Sequence, residues 1–160
     1  MKVNLKNNYL LTACVLLLAV VCWMSIDAPV HFESERTQRE TAVKERLVAI
    51  RQAEERYRAR HGVYTADFAT LVSSRLLADS VQYVPFADGH RFSLTATTTI
   101  GKSGQQIPLM ECGATYDDYL SGLDRHAVAA LTEEAHEAGR YPGLKIGDLS
   151  EANGNQGNWE

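Results

Sequence analysis

Hydrophobic positions are spread unevenly along the chain, and their spacing changes twice. Residues 9–26 (YLLTACVLLLAVVCWMSI) hold no charge at all, and a run of that length is close to the about 20 apolar residues a helix needs to cross a bilayer. Further on, Val43, Leu47, Ile50, Ala53 and Tyr57 follow at intervals of 4, 3, 3 and 4, which keeps them on one face of a helix. The remaining faces are charged. Glu35–Arg39, Glu40–Lys44 and Glu54–Arg58 are i,i+4 pairs in the favourable acid-first order, each worth about 0.2–0.5 kcal/mol on a solvated face. Arg56, Arg58 and Arg60 crowd the last turn, where the helix dipole favours cations, and Gly62 supplies the left-handed residue that ends helices. The spacing predicts an amphipathic stalk helix over 30–61, about 45 Å long. Val43, Leu47, Ile50 and Ala53 form its packing face, against a globular head and as a seam between chains. Pro29 predicts a kink where this helix leaves the apolar segment.

After Gly62 the chain is expected to turn at Val63 and Tyr64. Thr65 is the expected cap of a second helix with Asp67 in its first turn and Phe68, Leu71, Val72 and Leu76 along one side. Tyr57, Gly62, Tyr64, Phe68 and Leu71 then make the joint between stalk and head. Residues 91–100 (RFSLTATTTI) are rich in β-branched side chains, a Gly-Lys-Ser-Gly turn follows, and 105–112 resumes with Ile107 and Leu109, which reads as a hairpin. Asp124 caps a third helix with Val128, Leu131 and Ala135 on one side, ending at Gly139, and Leu-Lys-Ile-Gly at 144–147 gives an edge strand. The expected fold is α+β: a transmembrane helix continuing into a long amphipathic helix packed on a small antiparallel sheet with short helices. Its parts are a cytoplasmic N-terminus over 1–8, the transmembrane helix over 9–26, the stalk over 30–61, the head over 62–150 and a polar tail over 151–160.

At 160 residues, 45% of them hydrophobic and 22% charged, the chain suits one ordinary domain. Three readings compete for its apolar segment. A cleaved signal has a shorter apolar core, roughly 7–15 residues, and a small-x-small site; here the nearest is Ile26-Asp27-Ala28, with Pro29 directly after it. A lipoprotein signal would use Leu11-Thr12-Ala13-Cys14, which too few apolar residues precede, or Ala19-Val20-Val21-Cys22, which has a bulky Val where a small residue is wanted. The retained anchor fits best. Lys2 and Lys6 precede it, and Asp27, Glu33 and Glu35 follow, so the positive-inside rule leaves the N-terminus in the cytoplasm and the rest in the periplasm. Cys112 stands alone in the soluble part and reads as a small buried strand residue.

At the end of the stalk, "AEERYRARHGVYTADFATL" places Ala53, Tyr57, Gly62, Tyr64 and Leu71 in the order A-x-x-x-Y-x-x-x-x-G-x-Y-x-x-x-x-x-x-L. With the preceding apolar helix and the small sheet, this resembles the type IV pilin and type II secretion pseudopilin superfamily over roughly the first half of the chain. Where that superfamily carries Gly or Ala followed by Phe-Thr-x-x-Glu, this chain has Lys6-Asn7-Asn8-Tyr9. The whole chain, including "YPGLKIG" and "NGNQGNWE", also resembles a group of single-pass envelope proteins of Bacteroides-type bacteria. The resemblances imply an inner-membrane protein with a periplasmic head that associates with itself or with an envelope secretion or pilus-like complex through its N-terminal helix. They imply no enzymatic activity. The competing class is a single-pass adaptor or binding module that holds a small head off the membrane, outside any filament.

Chemistry-bearing patterns are weak. His31, His61, His90, His126 and His136 never fall at zinc-ligand spacing. Asp117, Asp118 and Asp124 offer oxygen ligands suited to calcium but lack the EF-hand spacing. No nucleophile elbow, phosphate loop or dinucleotide fingerprint is present, so no catalytic, cofactor or metal residue is expected. Residues 61–160 hold 6 Lys plus Arg against 13 Asp plus Glu, a balance of −7 that repels nucleic acid. The helix over 33–60 holds 8 against 6. That contrast points to stalk-to-head contacts between neighbours, within the roughly 8–10 Å that salt allows.

Overall fold

In the computed structural model, which describes residues 5–101 and 103–160, one helix dominates. α1 runs Leu5–His61, 57 residues. It passes through Pro29 without interruption, so the apolar segment and the expected stalk belong to one continuous helix. The chain forms two compact units, Met1–Thr37 and Gln38–Glu160.

The described residues of the first unit belong to α1. Its described apolar side chains are open to the surroundings, Leu11, Val15, Leu16, Leu17, Leu18, Val20 and Val21 being between 51% and 65% exposed. Among the described residues no helix is long and apolar enough to cross a membrane. Side chains are described for residue 9 and for 11–22 of the segment, and those twelve consecutive positions fall short of the about 20 that a span needs. The remainder of the expected transmembrane stretch, and the expected cytoplasmic residues 1–8, lie largely outside the described side chains.

The second unit is α+β. The described order after α1 is α2 (Phe68–Ser73), a 3-10 turn (Asp79–Gln82), β1 (Ser93–Ile100), β2 (Gln106–Thr115), α3 (Tyr116–Tyr119), α4 (Arg125–Glu137) and β3 (Gly143–Gly147). The strands form one antiparallel sheet in the order β1-β2-β3, with Leu94 opposite Cys112 and Cys112 opposite Ile146. Core side chains come from every layer: Val43, Leu47, Ile50 and Ala53 of α1, Leu71 of α2, Met110 and Cys112 of β2, Tyr119 and Leu120 around α3, and Ile146 of β3, none more than 1% exposed.

Capping explains where the short helices start. α2 is capped by Asp67, whose carboxylate accepts from the backbone N–H of Ala69 and Thr70 and from the Thr70 hydroxyl; those bonds, the Thr70 hydroxyl foremost, hold its pKa below the usual carboxylate value. Thr65, the expected cap, lies two residues early and instead accepts from the N–H of Asp67. The helix is also shorter than its apolar spacing suggests. Arg75 takes positive φ, and Leu77 rather than Leu76 is buried. Asp124 caps α4 as expected, through His126 and Ala127. Thr115 and Asp118 form a capping box around α3, a helix too short to carry a periodic signal.

Residues 151–160, expected as a polar tail, are built into this unit. Gly157 bridges Ile146, and the Asn158 side chain accepts from the Lys145 N–H and donates to the Gly143 carbonyl. Asparagine amides that pair with backbone groups turn a polar, Gly-rich run into ordered structure.

α1 ends as expected at Gly62, whose φ is +80 and whose N–H donates to the Arg58 carbonyl at 2.7 Å. A side chain added there meets nothing within 4 Å, so the cost of replacing it is conformational. Gly62→Val is expected to destabilise the protein by about 1–2 kcal/mol, because a branched side chain resists positive φ. Chemical unfolding of the full chain reads this, and an unchanged midpoint would mean that α1 does not terminate here.

Candidate functional site

Within Gln38–Glu160, the end of α1 carries two kinds of side chain toward the rest of the unit. Val43, Leu47, Ile50 and Ala53 form a dry stripe. Beside them runs a series of charged residues bonded to segments far away in sequence. Arg39 donates to the carbonyls of Tyr119 (3.1 Å) and Ser121 (2.8 Å), and its guanidinium lies 4.9 Å from the centre of the Phe86 ring. Arg46 donates to the carbonyls of Ser80 (3.3 Å) and Tyr83. Arg51 reaches the Asn155 carbonyl (3.3 Å) and the Glu160 carboxylate (2.9 Å). Lys44, paired with Glu40 as the spacing predicts (3.5 Å), also lies 5.9 Å from the Trp159 ring. Arginine suits this task because one terminal nitrogen carries two N–H donors, and Nη1 of Arg39 and of Arg46 each serves two carbonyls. The basic stalk thus meets backbone carbonyls of its own head.

The joint after Gly62 is built on Glu54 and Tyr64. Glu54 has no exposed surface; one carboxylate oxygen accepts from the N–H of Thr65 at 3.0 Å, while Oε1 is buried without a hydrogen-bond partner. Burial outweighs the Thr65 bond and pushes the Glu54 pKa up to about 7. The expected Glu54–Arg58 pair does not form, because Arg58 turns to Tyr64. Its guanidinium donates to the Tyr64 hydroxyl at 2.9 Å and lies 5.3 Å from that ring. The same hydroxyl accepts from the Asn155 amide at 2.7 Å, tying stalk end, turn and C-terminal segment to one oxygen.

Of the expected joint residues, Tyr64, Phe68 and Leu71 are buried, whereas Tyr57 is half-buried with its ring stacked on His61 at 4.3 Å. Arg58→Ala is expected to cost about 1 kcal/mol, for one charged hydrogen bond and one cation–π contact on an exposed residue. Urea titration of the two proteins side by side measures it.

Cys112 is fully buried, and burial, followed by the nearby Glu54 and Glu111 carboxylates, raises its thiol well above the ordinary value, the opposite of an activated nucleophile. Asp118 is spent on capping Thr115 and faces His90 at 3.6 Å; Asp124 caps α4. Among the described residues no three His, Cys, Asp or Glu side chains gather to hold a metal ion. A depression of about 380 Å³ beside α3 and α4 is lined by Asp117, Arg125, Leu120, Leu123 and Val128, without a histidine among its walls. No protein-family model, no curated protein and no solved structure matches this chain.

Sequence reasoning missed Glu54, Arg46, Arg51 and Asn155. A signal for Glu54 was present, since it stands at i+7 from Leu47 and i+4 from Ile50, on the apolar stripe itself. Arg39 and Arg46 stand 4 before and 3 after Val43, which places them beside the same stripe. Nothing local marks Asn155.

Proposed function

We propose that this is a membrane-anchored, pseudopilin-like structural or assembly protein of the bacterial envelope. In this reading the N-terminal helix sits in the inner membrane, the head lies in the periplasm, and the protein has no catalytic role. One observation carries the reading: α1 gives its second half to the core of a small α+β unit, while the described apolar side chains of its first half, Leu11 to Val21, are left exposed. Contiguous exposed apolar surface marks a membrane or protein contact. The uncharged stretch 9–26 and the A-x-x-x-Y-x-x-x-x-G-x-Y pattern support the same reading from the sequence.

Assembly takes place through that helix, with copies of itself or with an inner-membrane secretion or pilus-like complex. The second reading, a lone single-pass adaptor, is favoured by Lys6-Asn7-Asn8-Tyr9 standing where pilins carry their processing motif. Purification from native membranes in mild detergent separates the two. Recovery in a reproducible oligomer or with envelope-complex components is expected; consistent recovery as an isolated monomer would favour the adaptor.

A further inference from the structure

Asn153 and Gly154 make the one Asn-Gly pair in the chain, and they form the corner of the C-terminal segment. Gly154 and Asn155 take φ of +68 and +57, and the Gln156 N–H donates to the Asn153 carbonyl at 3.5 Å, a tight turn with positive φ at both central residues. The Asn153 side chain folds into this turn, its Oδ1 accepting from the Asn155 N–H at 3.0 Å. The ring closed by that bond contains both Cγ of Asn153 and the backbone nitrogen of Gly154, so the two atoms are held close together. The bond also draws electrons from the side-chain carbonyl, which makes Cγ a better electrophile. Gly154 is exposed, and its N–H has no acceptor among the described residues. With no Cβ on the residue, nothing crowds that nitrogen.

The other two asparagines of the segment are set differently. Asn155 is 8% exposed, its amide donates to the Tyr64 hydroxyl at 2.7 Å, and Gln156 follows it. Asn158 is held at both ends of its amide, accepting from the Lys145 N–H and donating to the Gly143 carbonyl. The next nitrogen belongs to Trp159, a bulky residue that crowds it. Asparagine is a thermolabile residue in general, but here one position of three has a free neighbouring nitrogen and a side chain turned toward it.

We propose that Asn153 is a self-modifying site, deamidated by the folded chain without an enzyme. The Gly154 nitrogen, having given its proton to hydroxide, attacks Cγ of Asn153. The new N–C bond closes a cyclic succinimide, the Cγ–Nδ2 bond breaks, and Nδ2 takes a proton from water and leaves as ammonia. Water then opens the ring. Attack at Cγ leaves an aspartyl residue at position 153, and attack at the main-chain carbonyl leaves an isoaspartyl residue, whose backbone is one carbon longer. Asn155, two residues on, ties this segment to the end of α1 and the turn after it, through its carbonyl to Arg51 and its amide to Tyr64. The longer backbone displaces Asn155 from both partners, and the new carboxylate joins Asp148, Glu151 and Glu160 of the same segment. Deamidation thus loosens the C-terminal segment from the end of α1, a step that goes beyond the proposed function and does not depend on it.

Ageing the full chain at pH 8 and reading it by peptide mass spectrometry tests this. Trypsin cuts after Lys145 and releases residues 146–160, with the three asparagines in one peptide. That peptide is expected to gain one mass unit, with fragment ions placing the gain at Asn153 while Asn155 and Asn158 keep their masses. Part of the product is expected to accept a methyl group from an isoaspartyl methyltransferase. The urea midpoint of the parent is expected to fall as the modified peptide accumulates. Asn153→Ser keeps an oxygen for the Asn155 N–H and has no amide to lose, so its mass and its midpoint are expected to hold over the same ageing. The mass reading on the parent stands even if that variant folds poorly. No gain at Asn153, equal gains at Asn155 or Asn158, a modified parent with an unchanged midpoint, or a folded Asn153→Ser whose midpoint falls as far would overturn the inference.

Discussion

Glu54→Gln is expected to stabilise the protein by about 3 kcal/mol at pH 8 and to leave it unchanged near pH 4. The Glu54 carboxyl has no exposed surface, one oxygen lacks a partner, and its pKa stands at about 7 against 4.5 for an unperturbed group. Below pH 4.5 the acid is neutral whether the chain is folded or unfolded, and it costs nothing. Between pH 4.5 and 7 the unfolded chain releases the proton and the folded one keeps it, so folding stability falls as pH rises, by about 1.4 kcal/mol per unit. Above pH 7 the full cost of a buried charge is present. Glutamine mimics the neutral acid, keeps an oxygen for the Thr65 N–H and does not titrate. Urea unfolding of both proteins from pH 4 to 8 isolates this group, because every other titration cancels in the difference. A difference independent of pH would show that Glu54 is solvated.

Tyr64→Ala is expected to cost about 3–4 kcal/mol. Truncating a buried aromatic ring costs about 3–5 kcal/mol, and the ring here is 8% exposed. The hydroxyl adds a second component, since its loss leaves the Asn155 amide, itself 8% exposed, and Arg58 without the oxygen they share. Tyr64→Phe removes only that component and is expected to cost about 1–2 kcal/mol. The double variant Tyr64→Phe with Asn155→Ala should cost less than the two single changes together, as expected of directly coupled residues. Strict additivity in thermal unfolding would mean that the bond contributes nothing.

Features encoded over one or two helical turns were legible in the sequence. The stripe Val43, Leu47, Ile50, Ala53 announces itself by spacing, Asp124 by its place before an apolar run, and the hairpin by a β-branched run, a Gly-containing turn and a second run with Ile107 and Leu109. Features that depend on the chain's return were not. Glu54 followed by Arg58 satisfies a local pairing rule, but the backbone turn at Gly62 brings the Thr65 N–H to the carboxylate and Tyr64 to the guanidinium. The carbonyls that Arg39, Arg46 and Arg51 reach lie between 34 and 104 residues away, and a carbonyl leaves no mark in a sequence. The order in 151–160 likewise depends on β3 being present to pair with it.

The proposed membrane anchoring predicts a definite topology. A reporter that is active only in the periplasm, fused after Glu160 of the full chain in a bacterium with two membranes, should be active and should sediment with the inner-membrane fraction at full length. An inactive fusion, or an active but soluble one shortened by its N-terminal apolar segment, would contradict the account.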